Sequence, residues 1–265
     1  MNNIKKIDID LSLTDREPEV VIELLTRKPL KKNIKKKTTI LDTPYPAIEE
    51  WAYKNSEIER INIPAEVTTI GVCAFACDTL KEIRVSENNT DYLSIDGVLL
   101  KKCETMIYSR NHVLIAYPPA RESNEYTLPD SIVTLYEGAF TWCNNLERIT
   151  IPKDVSYIYE SAIYGCNKLH SIDVAEDNPC YTSIDGVLYD KAMTTLLAYP
   201  SGRENRVYEI PNGVRRIGKG AIACCDHLKK LIVPETVVSI GEWVFQDTML
   251  RVHCDKDNIA RIHNG

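Results

Sequence analysis

Little in this sequence advertises catalysis or a membrane. No run of 18 apolar residues occurs, which excludes a spanning helix. There is no His-Glu-x-x-His, no Cys-x-x-Cys and no glycine-rich loop opening a helix, so the common zinc, dithiol and phosphate-cradling motifs are missing. His112, His170, His227, His253 and His263 are scattered singly. No nucleophile has a base and an orienting group legible around it, so no catalytic residue, metal ligand or cofactor is assigned and no enzyme is expected. Charge of one sign is also scarce: 32 Lys+Arg against 38 Asp+Glu leave a net −6, which favours solubility without identifying a partner. The opening stretch, MNNIKKIDIDLSLTDREPEV, lacks a continuous apolar segment and does not read as a secretory leader. As it stands the sequence therefore reads as cytoplasmic, with secretion or surface attachment as the alternative if a leader has been removed. Its nine cysteines are an odd number and too sparse for a disulfide scaffold, which fits a reducing compartment.

What is present is one pattern, repeated five times from Pro64, Pro129, Pro152, Pro211 and Pro234. An aliphatic residue precedes each proline. Three residues after it stand Val67, Ile132, Val155, Val214 and Val237, and six after it Ile70, Leu135, Ile158, Ile217 and Ile240. At plus ten and plus eleven come a small and a large residue: Ala74-Phe75, Ala139-Phe140, Ala162-Ile163, Ala221-Ile222 and Val244-Phe245. Pro129 to Pro152 and Pro211 to Pro234 are equal steps along the chain. A fixed period of about two dozen residues marks a solenoid whose coils bury apolar faces only against one another.

Each unit begins Leu-x-x-Ile-x-Ile, as in Leu146, Ile149 and Ile151. Its last four residues alternate with period two, which predicts a short strand with one buried face. Proline then ends the strand. Gly71, Gly218 and Gly241 at plus seven mark a tight bend, but Tyr136 and Tyr159 stand there in two coils, so the bend cannot demand φ > 0. Cys77, Cys143, Cys166 and Cys225 fall at or beside one interior position and read as small apolar fillers. The closest approach to a metal spacing is Cys73-x-x-x-Cys77, and Cys224-Cys225 is vicinal, yet each pair includes such a core position. Two inserts interrupt the array. Asp96-Gly97 and Asp185-Gly186 are turn dipeptides, each followed by an apolar run, a polar connector and a second apolar run ending Tyr-Pro, which predicts a β-hairpin. We expect these hairpins to project and wall the sheet face, or else to brace the convex side, with the longer tip from Lys101 to His112 the more mobile. The repeated Ser-Ile-Asp-Gly reads as a turn and not an acidic site.

Segments such as IPAEVTTIGVCAFACDTL, LPDSIVTLYEGAFTWCNNL and IPNGVRRIGKGAIACCDHL resemble BspA-type (Treponema pallidum-type) leucine-rich repeats, as do the inserts YLSIDGVLL…LIAYPP and YTSIDGVLYDKAMTTLLAYPSG. The resemblance runs from about 58 to 254. It implies an α/β-type repeat solenoid, a right-handed curved array with a parallel sheet on one face, and it implies no chemistry. Better-known members are exported or surface-attached, which makes a bacterial surface adhesin the alternative to an intracellular binding module.

Residues 1–57 do not follow the repeat and are assigned to an N-terminal cap; 58–254 form the solenoid, with hairpin inserts near 86–122 and 175–204, and 255–265 a tail. Within the cap, Ile4 to Leu13 predicts a strand, Val20 to Leu25 a strand or short helix, and Ala47 to Lys54 a short helix following Pro46. The basic run from Arg27 to Lys37 could meet a polyanion. No aromatic residue interleaves its lysines and the repeats are acidic, so a solvated loop is the simpler reading and nucleic acid is disfavoured.

The function expected is non-enzymatic binding of a protein by a monomeric chain, on the outward positions of the face strands. The register places there Arg60 and Asn62, Glu82 and Arg84, Glu125 and Thr127, Arg148 and Thr150, Ser171 and Asp173, Val207 and Glu209, Lys230 and Ile232, and Arg251 and His253. The candidate contacts are Arg60, Asn62, Arg84, Thr127, Arg148, Thr150, Asp173, Glu209, Lys230, Ile232 and His253.

Overall fold

The computed structural model describes residues 7–10, 39–40, 46–103 and 111–254. The Leu-x-x-Ile-x-Ile segments are strands because alternation gives each a single apolar face. Arg60–Ile63 and Arg148–Ile151 bury their second and fourth residues and turn the others toward solvent. These strands stack in parallel to make the sheet face, in three blocks. Arg60–Ile63 lies beside Glu82–Val85. Arg148–Ile151 lies between Glu125–Thr127 and Ser171–Val174, and Lys230–Ile232 between Val207–Glu209 and Arg251–Cys254.

After each proline the chain turns a corner and adds a strand to a side ladder. Thr69–Ile70 pairs with Ala47–Ile48, Ile132–Leu135 with Tyr157–Ile158, and Arg216–Ile217 with Ser239–Ile240. The core fills the space between the ladders. Val67, Ile132, Val155, Val214 and Val237 are all inaccessible to solvent, as is Phe140, while Phe245 of the last Pro-anchored coil is only partly covered.

No helix occurs among the described residues, so the α/β-type label gives way to a β-solenoid. The helix expected over Ala47 to Lys54 is instead the strand Ala47–Ile48 followed by turns. The reason is competition for backbone groups. The amides of Thr69, Gly71, Trp51 and Tyr53 donate to the carbonyls of Pro46, Ile48, Val72 and Ala74, so this stretch ladders with the next coil and keeps only turn bonds, such as Ala52 to Glu49 and Lys54 to Trp51, within itself. It is in fact a further coil. Ile48, Ala52, Tyr53, Ile58, Ile61 and Ile63 stand one period ahead of Ile70, Ala74, Phe75, Leu80, Ile83 and Val85, every pair separated by the same step. The Tyr53 ring stacks on Phe75, with centroids 5.7 Å apart and planes within 5°. Coil geometry thus begins before residue 58. Of the expected strand from Ile4 to Leu13, Ile7–Asp10 is described, paired antiparallel with Arg251–Cys254. The segment Val20 to Leu25, the basic run, the centre of the long hairpin tip and the tail 255–265 lie outside the described residues.

The bend glycines answer to space and not to a left-handed backbone. A Cβ on Gly71 would sit 2.4 Å from the Glu50 nitrogen, and one on Gly241 2.5 Å from the Lys219 nitrogen, where the preceding coil passes. Left-handed backbone falls two residues later, at Cys73, Gly138, Ser161, Gly220 and Trp243, with φ between 53° and 73°.

In the inserts, Tyr92–Ile95, Val98–Lys102 and His112–Ala116 pair antiparallel in sequence, and so do Tyr181–Ile184, Val187–Asp190 and Thr195–Ala198. Asp96 and Gly97 (φ 49° and 76°) and Asp185 and Gly186 (49° and 74°) form the left-handed two-residue turns that match strand twist. These strands do not project. The last strand of each insert joins the side ladder, and Val98, Leu99, Leu114, Val187, Leu196 and Tyr199 are buried, because their apolar side chains have no other cover.

A buried asparagine pins each insert. The Asn178 amide donates to the carbonyls of Pro152 and Val155 at 2.8 and 3.0 Å and accepts from the Cys180 and Tyr181 amides at 2.9 and 2.8 Å. Asn89 repeats the arrangement on Pro64, Val67, Asp91 and Tyr92. Removing the side chain strands four backbone groups, each worth about 1–3 kcal/mol when left unpaired in the interior. Asn178→Ala should therefore lower stability by ~3 kcal/mol or more, against ~0.5 kcal/mol for the exposed Asn205→Ala. Denaturant midpoints compare them, and equal small shifts would rule out the anchoring role.

Candidate protein-binding face

The outward residues of the face strands form two rows. One runs Arg60, Glu82, then Glu125, Arg148, Ser171, then Val207, Lys230, Arg251. The other runs Asn62, Arg84, then Thr127, Thr150, Asp173, then Glu209, Ile232, His253. Of the candidate contacts, Arg60, Arg84, Thr127, Arg148 and Glu209 are exposed, and Asn62, Thr150, Asp173, Lys230 and Ile232 are partly so. The His253 side chain lies outside the described residues. The rows are held out by Ile61, Ile83, Ile149, Ile172 and Leu231, each buried on the opposite side of the same strand.

Ion pairs cross the strands within blocks. Glu82 lies 3.3 Å from Arg60 on the adjacent strand and 2.7 Å from Arg84 on its own. Arg148 lies 3.6 Å from Glu125 and is also paired with Asp173, which accepts from the Ser171 hydroxyl at 2.6 Å. The Arg84 hydrogen bond, chiefly, holds the Glu82 carboxyl below the usual glutamate range. Such exposed pairs contribute little to stability, and their main effect is to fix side-chain positions.

Between blocks the inserts supply what a missing strand would have supplied. Ile83 and Ile172 donate to the carbonyls of Gly97 and Gly186 at 2.9 Å, and the amides of Val85 and Val174 to the hydroxyls of Ser94 and Ser183 at 3.2 and 3.1 Å. Arg121 and Arg203 donate to the carbonyls of Asp96 and Asp185, fastening each turn at the face. The Ser-Ile-Asp-Gly motif is thus a turn that also stands in for a rung. Neither arginine was singled out from sequence, although both stand three residues after a matched proline, Pro118 and Pro200.

Among the described residues no three His, Cys, Asp or Glu side chains are grouped to hold a metal ion, and no helix is long and apolar enough to cross a membrane. The hollow lined by Cys73, Ala74, Tyr117, Tyr136, Gly138 and Thr141 measures about 10 Å³, room for one water. An open groove of about 500 Å³ lined by Thr194, Gly213, Arg215, Glu235, Thr236 and Val238 has no nucleophile–base pair. The thiols of Cys77, Cys143, Cys166 and Cys225 are buried hydrogen-bond donors. Cys77 and Cys166 donate to the carbonyls of Ser56 and Phe140 at 3.0 and 3.2 Å. Burial pushes the Cys143 and Cys225 thiols up, and Cys73 up to about 11. Cys224 points away from Cys225, its sulfur 3.7 Å from where a Cβ on Gly165 would stand.

A family model described as "BspA type Leucine rich repeat region" matches residues 32–106, 120–191 and 203–265 in six copies. No curated protein matches the chain. Among solved structures, a leucine-rich cell surface protein of Faecalibacterium prausnitzii is similar at TM-score 0.56 and 26% identity, over 82% of this chain and 54% of that one. A leucine-rich repeat protein of Eubacterium ventriosum, 18% identical, is similar at TM-score 0.51 over 82% of this chain and 60% of that one. The chain therefore spans little more than half the length of these relatives.

Because the folded pKa of Glu82 lies below the unfolded one, its pairing stabilises above the unfolded pKa and is lost as pH falls through the folded value. A carboxyl NMR titration of Glu82 should give a midpoint below about 4.3, the ordinary glutamate value, and Arg84→Ala should return it toward that value. An unchanged midpoint in the variant would remove Arg84 as the cause. Thiol reagent should find the buried cysteines unreactive in the native state and about nine free thiols after unfolding without reductant. Seven or fewer would mean disulfides.

Proposed function

Because this chain belongs to the BspA-type leucine-rich repeat family, we propose that it is a non-enzymatic, monomeric protein-binding module acting through its sheet face. One observation carries the reading. Two outward rows, mostly polar, run in register over strands whose opposite sides are buried, so the fold commits one whole surface to solvent without any structural need for those side chains. The absence of a deep cleft among the described residues fits recognition of a macromolecule's surface better than of a small molecule, which prefers an enclosed pocket.

The inserts contribute their Asp–Gly turns to this surface, in place of a projecting wall. A location at the cell surface is favoured over the cytoplasm by the Faecalibacterium relative, itself a cell surface protein. There the module would act as an adhesin toward another protein.

Photo-crosslinking amino acids test the face directly. Placed at Thr150 on the sheet face, the probe should form protein adducts in the native cell, whereas at Ser156, exposed on the side ladder's flank, it should form few. Equal adducts at both positions, or none at Thr150, would sink the assignment. Protease shaving of intact cells should release peptides of this chain. Recovery only from the cytosol would restore the intracellular reading.

A further inference from the structure

The face is not chemically uniform. In the first two blocks every arginine on the rows has a carboxylate partner: Arg60 and Arg84 share Glu82, and Arg148 lies between Glu125 and Asp173. The third block breaks this rule. Lys230 and Arg251 are register partners on adjacent strands, and neither forms an ion pair with a described residue. Like charges directly across a sheet destabilise it, so the fold gains nothing from this pair. Beside them stand Val207, 51% exposed, and the partly exposed Ile232. The matching positions of the second block hold Glu125 and Thr150, which shows that the architecture does not require apolar residues there.

We propose that this third block is the docking point for an extended segment of the partner protein that presents a carboxylate next to an apolar side chain. The inference rests on the protein-binding reading and names the partner's chemistry. Rungs of a sheet are about 4.8 Å apart, so one carboxylate placed between Lys230 and Arg251 reaches both cations. The apolar neighbour then covers Val207 and Ile232, removing from water the apolar side chains this block presents on its rows. Glu209 in the second row repels an acid placed there, which fixes the acidic residue over the first row. Ile7–Asp10 already occupies the edge of this block, paired antiparallel with Arg251–Cys254, so a partner segment approaches over the face and not along the edge. A nucleic acid is the poorer fit, since a phosphate backbone needs a continuous run of cations and Glu209 interrupts this one.

The test uses the full chain and fluorescence anisotropy with labelled twelve-residue peptides of alternating Glu and Leu, Gln and Leu, or Glu and Ser. The Glu–Leu peptide should bind, and both others should bind more weakly. Lys230→Glu with Arg251→Glu should weaken the Glu–Leu peptide by about tenfold or more, since reversed charge turns attraction into repulsion. Lys153→Gln, exposed and off both rows, should leave it unchanged, and rising salt should weaken it. Melting temperatures of the variants, all at solvent-facing positions, confirm that each is folded. Absence of binding, equal binding of the three peptides, equal binding of oligothymidylate, or full binding by the charge-reversed variant would overturn the proposal. If the peptide binds and is lost on Thr150→Arg but not on charge reversal, the face reading survives and this assignment fails. If no face variant alters binding, both fail.

Discussion

Each coil is too short to satisfy its own backbone, and the rest of the structure depends on this constraint. A coil of about two dozen residues contains strands and turns and, among the described residues, no helix, so its N–H and C=O groups must find partners in the coils above and below. Stacking is therefore obligatory, and it sets what each position can hold. The bend at plus seven takes glycine where the preceding backbone passes within contact distance of a Cβ. The cysteine position takes a small side chain that can also donate to a neighbouring coil's carbonyl. Any insertion must hand its neighbours the hydrogen bonds that the displaced rung would have made.

The inserts meet that requirement in the same way twice. Each brings a serine hydroxyl and a glycine carbonyl to the exposed edge of a face strand, an arginine that fastens the turn, and a buried asparagine that ties its entry to the preceding coil. A hairpin attached only at its ends would leave Val85 and Ile83, or Val174 and Ile172, with unpaired edge amides in the middle of the face. The inserts are thus structural members of the array. Their apolar strands thicken the side ladder, while their Asp–Gly turns reach the sheet face.

The register of the coils was legible because proline, the two aliphatics and the small–large pair recur in fixed positions, and burial enforces all of them. The coil before Pro64 was hidden for a local reason. Its anchor position, one period before Pro64, is Asp42, and its large core residue is Tyr53 where Phe recurs. Pro46 ahead of an Ala-rich, Glu-rich stretch then imitates a helix start, and only the tertiary ladder reverses that local preference. On the face, parity alone placed the two rows. It could not supply the pairing of Arg148 with both neighbours, or the lack of an ion pair at Lys230 and Arg251 among the described residues, because these depend on residues a whole coil away along the chain. Asn89 and Asn178 were missed for a related reason: the polar stretches that hold them look like ordinary turns until burial shows otherwise.

Burial also changes what the cysteines say about the compartment. Nine thiols in a chain without disulfide spacing argue for reducing surroundings only if those thiols are open to oxidation. Cys77, Cys143, Cys166 and Cys225 are buried at one level of the core, and desolvation holds Cys143 and Cys225 protonated well above their ordinary range. A thiol that is neither ionised nor reached by solvent is a poor nucleophile in any compartment. Cys73 and Cys224 on the turn columns are more open, yet burial raises both, and both are free thiols. Four of the nine cysteines are therefore a property of the repeat, in which a small donor at one interior position suits the stacked coils. They leave the question of location to the relatives and to the face itself.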